Sequence, residues 1–230
     1  MNFDSFVLAA ATATLEDEPT ARPHADAVEF RMDLAAAPLS ALDDYDGDLP
    51  IIATNRDPAE GGEAAADETD RLAVIEAASA HDAVVAVDIE LSSLRGSAGA
   101  EAAAAARDHG ASTVASVHDF EGTPDESRLS DLLAAAADHG EVGKLAVTAT
   151  DRADALALLS ATQTATARGD RVATMAMGEA GRHTRAVAPC YGSKIGYAPV
   201  DPAEATAPGQ YDLATLANLL DRLGVRPADD

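Results

Sequence analysis

The sequence contains very little cysteine and no long apolar segment. Cys190 is the single cysteine among 230 residues, which excludes an intrachain disulfide and a zinc site built from several cysteines. No apolar run approaches the roughly 18–20 residues that cross a bilayer. The start of the chain has no basic segment before its apolar stretch, so we expect no signal peptide. A reducing cytoplasm is therefore the expected compartment.

Lysine and aromatic residues are also scarce. Lysines and arginines together number 16, and only Lys144 and Lys194 are lysines, against 40 aspartates and glutamates. The resulting charge of -24 is spread along the chain, so nucleic acid and anionic membranes are not expected partners. Molar salt would screen this self-repulsion, because the Debye length falls to about 3 Å at 1 M. We predict a protein from a halophilic archaeon with a salt-rich cytoplasm; an ordinary acidic mesophilic protein is the alternative.

Short apolar runs alternate with alanine-rich stretches of helical spacing. The predicted strands lie near Ser5–Thr12, Ala27–Asp33, Leu49–Asn55, Ala83–Leu91, Ser112–Asp119, Glu141–Thr148, Arg171–Met177 and Ser193–Ala198. The clearest predicted helices are Ala64–Ala80, Glu101–His109, Pro124–Asp138 and Asp154–Ala167. For the third of these helices, Thr123 is the predicted N-cap and Pro124 the first helical residue.

This alternation predicts parallel βα units. Eight units without a long linker favour an α/β fold of the (β/α)₈ TIM-barrel type, with residues 1–230 forming a single catalytic domain. An open doubly wound sheet is the alternative, although the loop after the first strand lacks a GxGxxG turn.

Polar residues stand where the predicted strands end, which is where barrel enzymes place their chemistry. They are Glu29, Arg31 and Asp33, Arg56 with Glu60 in the following loop, Asp88 and Glu90, His118, Lys144, and Arg185. Each has a structural alternative. We favour a salt-bridge role for Asp33, and Asp88 and Glu90 could either act directly or orient their neighbours.

Lys144 is the residue hardest to explain by structure alone. It lies in an apolar strand of a chain that otherwise avoids lysine, and lysine is seldom buried without a partner. Burial and nearby arginines would favour a neutral, nucleophilic amine. A lysine that forms an imine, a histidine that moves protons and arginines that bind a carboxylate indicate an imine enzyme acting on a small oxo acid. The residues alone leave lyase and aldolase equally possible, and we expect neither a cofactor nor a metal.

Several strings, in order along the chain, resemble type I 3-dehydroquinate dehydratases. They are EFRMD at 29–33, TNR at 54–56, EGGE at 60–63, DIEL at 88–91, SVHDF at 116–120, Lys144, MGEAGRHTR at 177–185 and APGQ at 207–210. The resemblance covers most of the chain from the second strand onward. It implies a TIM-barrel lyase of the shikimate pathway, and so of aromatic amino-acid biosynthesis, that converts 3-dehydroquinate to 3-dehydroshikimate and water.

The resemblance also implies roles for individual residues. Lys144 would form a Schiff base with the substrate ketone, His118 would transfer protons, and Glu60 would orient and tune His118. The substrate-binding residues would be Glu29, Arg31, Arg56, Arg185, Thr206 and Gln210. Among these, Arg185 would bind the carboxylate, with Gln210 assisting from a closing loop. Members of the family are often homodimers, so a homodimer is expected.

The sequence departs from the family pattern at two of these places. Thr206 stands where the family usually has serine, which keeps the hydroxyl but adds a methyl group. Val117 precedes His118, where the family often has a polar or aromatic residue, and could alter the support of the histidine. The competing interpretations are a class I Schiff-base aldolase on the same barrel and a binding module in which Lys144 is structural.

Overall fold

The computed structural model describes residues 1–64, 67–201, 203 and 207–226. Its strands, β1 to β8, are Val7–Thr12, Ala27–Arg31, Ile51–Thr54, Val84–Glu90, Ser112–Asp119, Val142–Thr148, Val172–Met177 and Ile195–Pro199. Its helices, α1 to α10, are Glu18–Ala21, Pro38–Asp43, Glu68–Ser79, Leu91–Leu94, Ser97–Asp108, Glu126–His139, Arg152–Ala167, Gly178–Gly181, Thr184–Val187 and Leu213–Arg222. Short 3₁₀ turns cover Leu15–Asp17, Met32–Leu34, Pro58–Glu60 and Ala188–Tyr191.

The strands form one parallel sheet that closes almost completely on itself. Their order is β7-β6-β5-β4-β3-β2-β1-β8, so consecutive strands from β1 to β7 pair with one another and β8 pairs with β1. β7 and β8 meet at the bridge between Val172 and Ser193. The predicted (β/α)₈ barrel is confirmed, and the helices between strands lie outside it.

Side chains close the seam between β7 and β8. The Thr174 amide donates a hydrogen bond to Ser193 Oγ at 3.0 Å, and the Ala176 amide donates to Thr184 Oγ1 at 2.8 Å. These hydroxyls satisfy backbone donors that a continuous ladder would otherwise pair. The seam therefore fixes Thr184, and with it the start of α9, against the end of β7.

Small apolar side chains fill the interior of the barrel. The interior cluster includes Ala9, Ala27, Ile52, Ala86, Val114, Val142, Ala173 and Ile195, all of them buried. Because side chains alternate along a strand, the next inward positions toward the carboxyl ends are those that carry the polar residues. Two further clusters, which contain Leu, Val and Ala, join the outer faces of the strands to the helices.

The predicted start of α6 is wrong by two residues. Asp125 is the N-cap, with its carboxylate accepting a hydrogen bond from the Arg128 amide at 2.9 Å, and the helix begins at Glu126. The hydroxyl of Thr123 instead donates to the Thr148 carbonyl at 2.8 Å, which ties the preceding loop to β6. No helix within the described residues is long and apolar enough to cross a membrane.

Candidate active site

A cavity opens at the carboxyl ends of the strands and collects most of the predicted site residues. It is lined by Glu29, Arg56, His118, Phe120, Lys144, Ala146, Met175, Met177, Arg185, Tyr197, Ala207 and Gln210. Two further predicted residues, Arg31 and Glu60, stand behind this lining. Thr206 lies outside the described residues.

Lys144 lies deep in the cavity and is only 2% exposed. Its Nζ donates a hydrogen bond to Asp88 Oδ2 at 2.7 Å and lies 3.8 Å from Glu29 Oε1. Ser116 Oγ donates to the other Asp88 oxygen at 2.5 Å. Burial alone would raise the pKa of Asp88, but the charges of Lys144 and Arg56 and the hydrogen bonds from Lys144 and Ser116 hold it below its ordinary value.

The neutral amine predicted for Lys144 depends on burial and on the neighbouring arginines, and Asp88 acts in the opposite direction by stabilising the charged amine. The structure places the Asp88 carboxylate in direct contact with Nζ. Of the two roles left open for Asp88, the contact supports that of a residue that orients the amine.

Glu29 joins the floor of the cavity to β3. Its Oε1 accepts hydrogen bonds from Thr54 Oγ1 at 3.2 Å and from Arg56 Nη2 at 3.4 Å. The guanidinium of Arg56 is thereby held beside the cavity, although its Nε has no partner among the described residues. Glu29 and Arg56 thus present a buried acceptor and a buried donor to anything that enters.

Arg31 forms a salt bridge with Asp33. Its Nε and Nη2 donate to the two oxygens of Asp33 at 2.9 and 2.7 Å, and both side chains are almost fully buried. Asp33 Oδ2 also accepts the Glu63 amide at 3.1 Å, which attaches the loop after β3 to this pair. The salt-bridge role predicted for Asp33 is therefore seen, and Arg31 reaches the cavity through its charge rather than by lining it.

His118, at the end of β5, is held by Glu60. Glu60 Oε2 lies 2.9 Å from both the backbone amide nitrogen and Nδ1 of His118. When Glu60 is ionised, its carboxylate can only accept, which places the ring proton on Nδ1 and leaves Nε2 with its lone pair. Burial, and then the positive charges of Arg56, Lys144 and Arg31, lower the pKa of His118 well below its usual 6.5. The imidazole is therefore neutral at neutral pH and can accept a proton.

Glu60 itself is tuned in the opposite direction. Burial, and then the negative charge of Glu90, raise the pKa of Glu60 to about 7, against the lowering effect of its hydrogen bond from the His118 amide. Two titratable groups in contact thus have pKa values moved far from their ordinary ones, as is common in catalytic sites.

Arg185 provides a buried positive charge with free donors. It is 4% exposed, and its Nε and Nη2 have no hydrogen-bond partner among the residues that the structure describes. Burial lowers its pKa to about 10, so it is still charged at neutral pH. A charged guanidinium with unused donors can bind a carboxylate by donating two parallel hydrogen bonds.

Gln210 reaches the cavity from the loop after β8. Its Oε1 accepts the Ala207 amide at 3.2 Å, and the Pro208 carbonyl accepts the Gly178 amide at 3.1 Å. Gly209 has a φ of 77°, and a Cβ there would lie 2.6 Å from the Gly178 carbonyl oxygen. Only glycine allows so close an approach of this loop to the end of β7.

Two contributors were missed by the sequence analysis, Tyr197 and Arg71. Tyr197, on β8, lies under Lys144 with Nζ 4.4 Å from its ring centroid. Arg71, on α3, bonds Glu90 Oε2 at 2.8 Å and the Asn55 carbonyl at 2.9 Å, while Glu90 Oε1 accepts the Asp57 amide. The strand and helix repeats could have indicated both residues. Tyr197 lies two positions after inward-facing Ile195 on β8, and Arg71 lies on the buried face of α3.

Glu90 consequently differs from Asp88, although both lie on β4 with the same alternation. It bonds Arg71 and the loop after β3 instead of a cavity residue, which supports a structural role. The remaining lysine, Lys194, precedes β8 at the opposite end of the barrel and donates to the Asp4 carbonyl at 2.7 Å.

Comparison with known proteins decides the family. The family description "Type I 3-dehydroquinase" matches residues 6–227. The chain belongs to the type I 3-dehydroquinase family. The 3-dehydroquinate dehydratase of Haloarcula marismortui is 59% identical over 97% of this chain and 98% of its own, and that of Halobacterium salinarum is 56% identical over 96% and 98%. The predicted family, its lyase class and its halophilic relatives are thus confirmed.

Solved structures agree with this assignment. The 3-dehydroquinate dehydratase of Geobacillus kaustophilus matches 97% of this chain and 93% of its own, with a TM-score of 0.86 and 27% identity. A type I 3-dehydroquinate dehydratase from Clostridium difficile, described with covalently modified comenic acid, has a TM-score of 0.82 at 23% identity, which supports the barrel fold.

Proposed function

We propose that this type I 3-dehydroquinase dehydrates 3-dehydroquinate to 3-dehydroshikimate through an imine on Lys144, without a cofactor. The observation that carries the proposal is the meeting in one cavity of buried Lys144, of His118 held by Glu60, and of Arg185, whose Nε and Nη2 have no partner among the described residues. Relatives at 52–59% identity that bear the name 3-dehydroquinate dehydratase support the choice of substrate.

Lys144 forms the covalent intermediate. Once Nζ has lost a proton, the amine attacks the ketone carbon, a C–N bond forms, and the ketone oxygen leaves as water after gaining protons. The product is an iminium that carries one N–H and a positive charge. This charge withdraws electrons from the adjacent carbon and makes its hydrogen acidic. Asp88 holds Nζ in position for the attack through its 2.7 Å contact.

His118 moves the protons. Its Nε2 takes the proton from the carbon next to the iminium, and Glu60 stabilises the imidazolium that results. The enamine then expels the hydroxyl, to which His118 returns the proton, so that water leaves. Hydrolysis of the product imine consumes one water and restores Lys144. The net change is substrate to product plus one water.

The remaining cavity residues bind the substrate. Arg185 binds its carboxylate, because it is charged and buried and two of its donors have no partner among the residues that the structure describes. Glu29, Arg56 and Gln210 bind the ring hydroxyls, and Arg31 contributes positive charge from behind. A contact from Thr206 stays a prediction from the resemblance. A homodimer in the cytoplasm, serving aromatic amino-acid biosynthesis, completes the proposal.

The test is a spectrophotometric assay with 3-dehydroquinate in molar potassium chloride. We expect the absorbance of a conjugated enone to appear, and Arg185→Lys to raise KM, since an ammonium cannot reproduce a bidentate contact. The class I aldolase would instead cleave a phosphorylated ketose, and a binding module would turn over neither compound. Cleavage of a phosphorylated ketose, or turnover of neither compound, would contradict the proposal.

A further inference from the structure

Lys144 Nζ lies between a carboxylate and an aromatic face. On one side is Asp88 Oδ2 at 2.7 Å, and on the other is the ring of Tyr197, whose centroid is 4.4 Å from Nζ. A cation within about 6 Å of a ring face is attracted by the negative charge of the π system. Lys144 and Tyr197 are 2% and 4% exposed, so water does not weaken this attraction.

We propose that Tyr197 is a further catalytic residue, whose ring face stabilises the positive charge on Lys144 Nζ when the nitrogen becomes an iminium. The inference rests on the proposed function above, because it concerns the intermediate of that reaction. It adds a contact to the reacting nitrogen that comes from β8, two strands away from β6.

The change in hydrogen count at the nitrogen explains why a ring suits this position. An ammonium has three N–H donors, and one of them is used by Asp88. When the amine and ketone combine with one proton to give iminium and water, a single N–H remains. The remaining N–H can serve only one directional partner, such as Asp88, whereas attraction to a ring face needs no N–H. The ring can therefore still act on the charge after the C–N bond has formed.

The phenol group stays neutral and leaves the ring face available. Burial, followed by the negative charges of Asp88 and Glu29, raises the pKa of Tyr197 well above 10. Its hydroxyl has no hydrogen-bond partner within the described part of the chain. Nothing there turns the ring away from Nζ, and the hydroxyl can be removed without breaking a bond. Tyr197→Phe thus isolates the ring.

The experiment compares variants that keep or weaken the ring face. Tyr197→Phe should retain kcat within about threefold, and Tyr197→Leu should lose on the order of tenfold in kcat with a smaller change in KM. Phenylalanines with one, two and three ring fluorines, introduced at position 197, should lower kcat stepwise. The rate of borohydride trapping with 3-dehydroquinate should fall in the same order, because fluorine withdraws charge from the face with little change in size.

A flat series of kcat and trapping rates across the fluorinated rings would overturn the inference, and so would equal activity of the Phe and Leu variants. The fluorinated series decides the matter even where Tyr197→Leu fails to fold in molar potassium chloride. Failure of the proposed function itself looks different, because the wild-type chain would then neither turn over 3-dehydroquinate nor be trapped with it.

Discussion

A single oxygen of Glu60 holds His118 by two nitrogens, the backbone amide and Nδ1, each at 2.9 Å. The contact fixes both the position of the strand end and the orientation of the ring. The pKa of His118 is well below 6.5 and that of Glu60 is about 7, so near neutrality the carboxyl is the member of the pair that titrates.

The first prediction concerns this titration. As pH rises through about 7, Glu60 gains a charge that stabilises the imidazolium formed on His118, so kcat/KM should rise with a limb near pH 7. Glu60→Gln should remove the limb and lower kcat about 10- to 100-fold, the effect of one charge-assisted hydrogen bond. Activity profiles between pH 5 and 9 measure both effects. An unchanged limb in the glutamine variant would assign the titration to another group.

The second prediction concerns the seam between β7 and β8. Thr184 Oγ1 accepts the Ala176 amide and donates to the Gly181 carbonyl, both at 2.8 Å, directly before Arg185. Thr184→Val has the same shape but leaves that buried amide unsatisfied, a loss of about 1–3 kcal/mol. It should also raise KM, since Arg185 loses its anchor.

Thr184→Ser is the matched control for the seam, because it keeps the hydroxyl and removes only a methyl group. Steady-state kinetics and denaturant unfolding should place it close to the wild-type chain. Equal KM values for the valine and serine variants would show that the seam hydroxyl does not position Arg185.

The third prediction concerns Arg71, which is 1% exposed and bonded to Glu90. Arg71→Met should lower the free energy of unfolding by about 3–5 kcal/mol, because it leaves a buried carboxylate without its cation. Burial already raises the pKa of Glu90, against the lowering effect of Arg71. In the variant that pKa rises further above its unfolded value, so the loss should grow as pH increases from 5 to 8.

Denaturant unfolding at the two pH values measures this effect. The double variant Arg71→Met with Glu90→Gln should recover part of the loss and show a weaker pH dependence. A loss that is the same at pH 5 and pH 8 would contradict an unpaired carboxylate as its cause.

The barrel could be predicted from the sequence because alternating strand and helix patterns are local. The predicted fifth strand, Ser112–Asp119, has the same bounds as β5. Strand ends also indicated Lys144, His118 and Arg185, since topology brings carboxyl ends together. The contacts that each polar side chain makes could not be predicted in the same way, because they depend on side-chain conformations across strands. Asp88 and Glu90 have equivalent positions in the pattern, yet one contacts Lys144 and the other Arg71.

Competition between Thr123 and Asp125 for the N-cap position explains why the predicted start of α6 is wrong. Thr123 and Asp125 are both good N-caps, and the sequence offers no measure of which hydroxyl or carboxylate the loop needs elsewhere. The Thr148 carbonyl receives the Thr123 hydroxyl, which leaves Asp125 to cap α6. The seam between β7 and β8 could not be predicted either, because nothing in the strand patterns distinguishes these two strands from the pairs with continuous ladders.

The fourth prediction concerns salt. With a charge of -24, the folded chain should gain stability and activity between dilute buffer and molar potassium chloride, because screening weakens its self-repulsion. Circular dichroism melting and the enone assay measure the two effects. Sucrose at matched osmolality is the control, since it is excluded from protein surfaces but screens no charge. Equal melting midpoints and activities across the salt range would contradict this account.

The fifth prediction tests the imine on Lys144, on which the whole mechanism depends. Borohydride added with 3-dehydroquinate should inactivate the enzyme irreversibly, by reducing the C=N bond to a stable secondary amine. Lys194 is the internal control, because it lies at the other end of the barrel. His118→Ala should turn over slowly but still be trapped, whereas Lys144→Ala should show neither adduct nor turnover.

The most direct measurement is peptide mass spectrometry of the borohydride-treated enzyme. We expect one reduced substrate adduct per chain, on the peptide that contains Lys144. An adduct on Lys194, or full activity of Lys144→Ala, would contradict the imine mechanism.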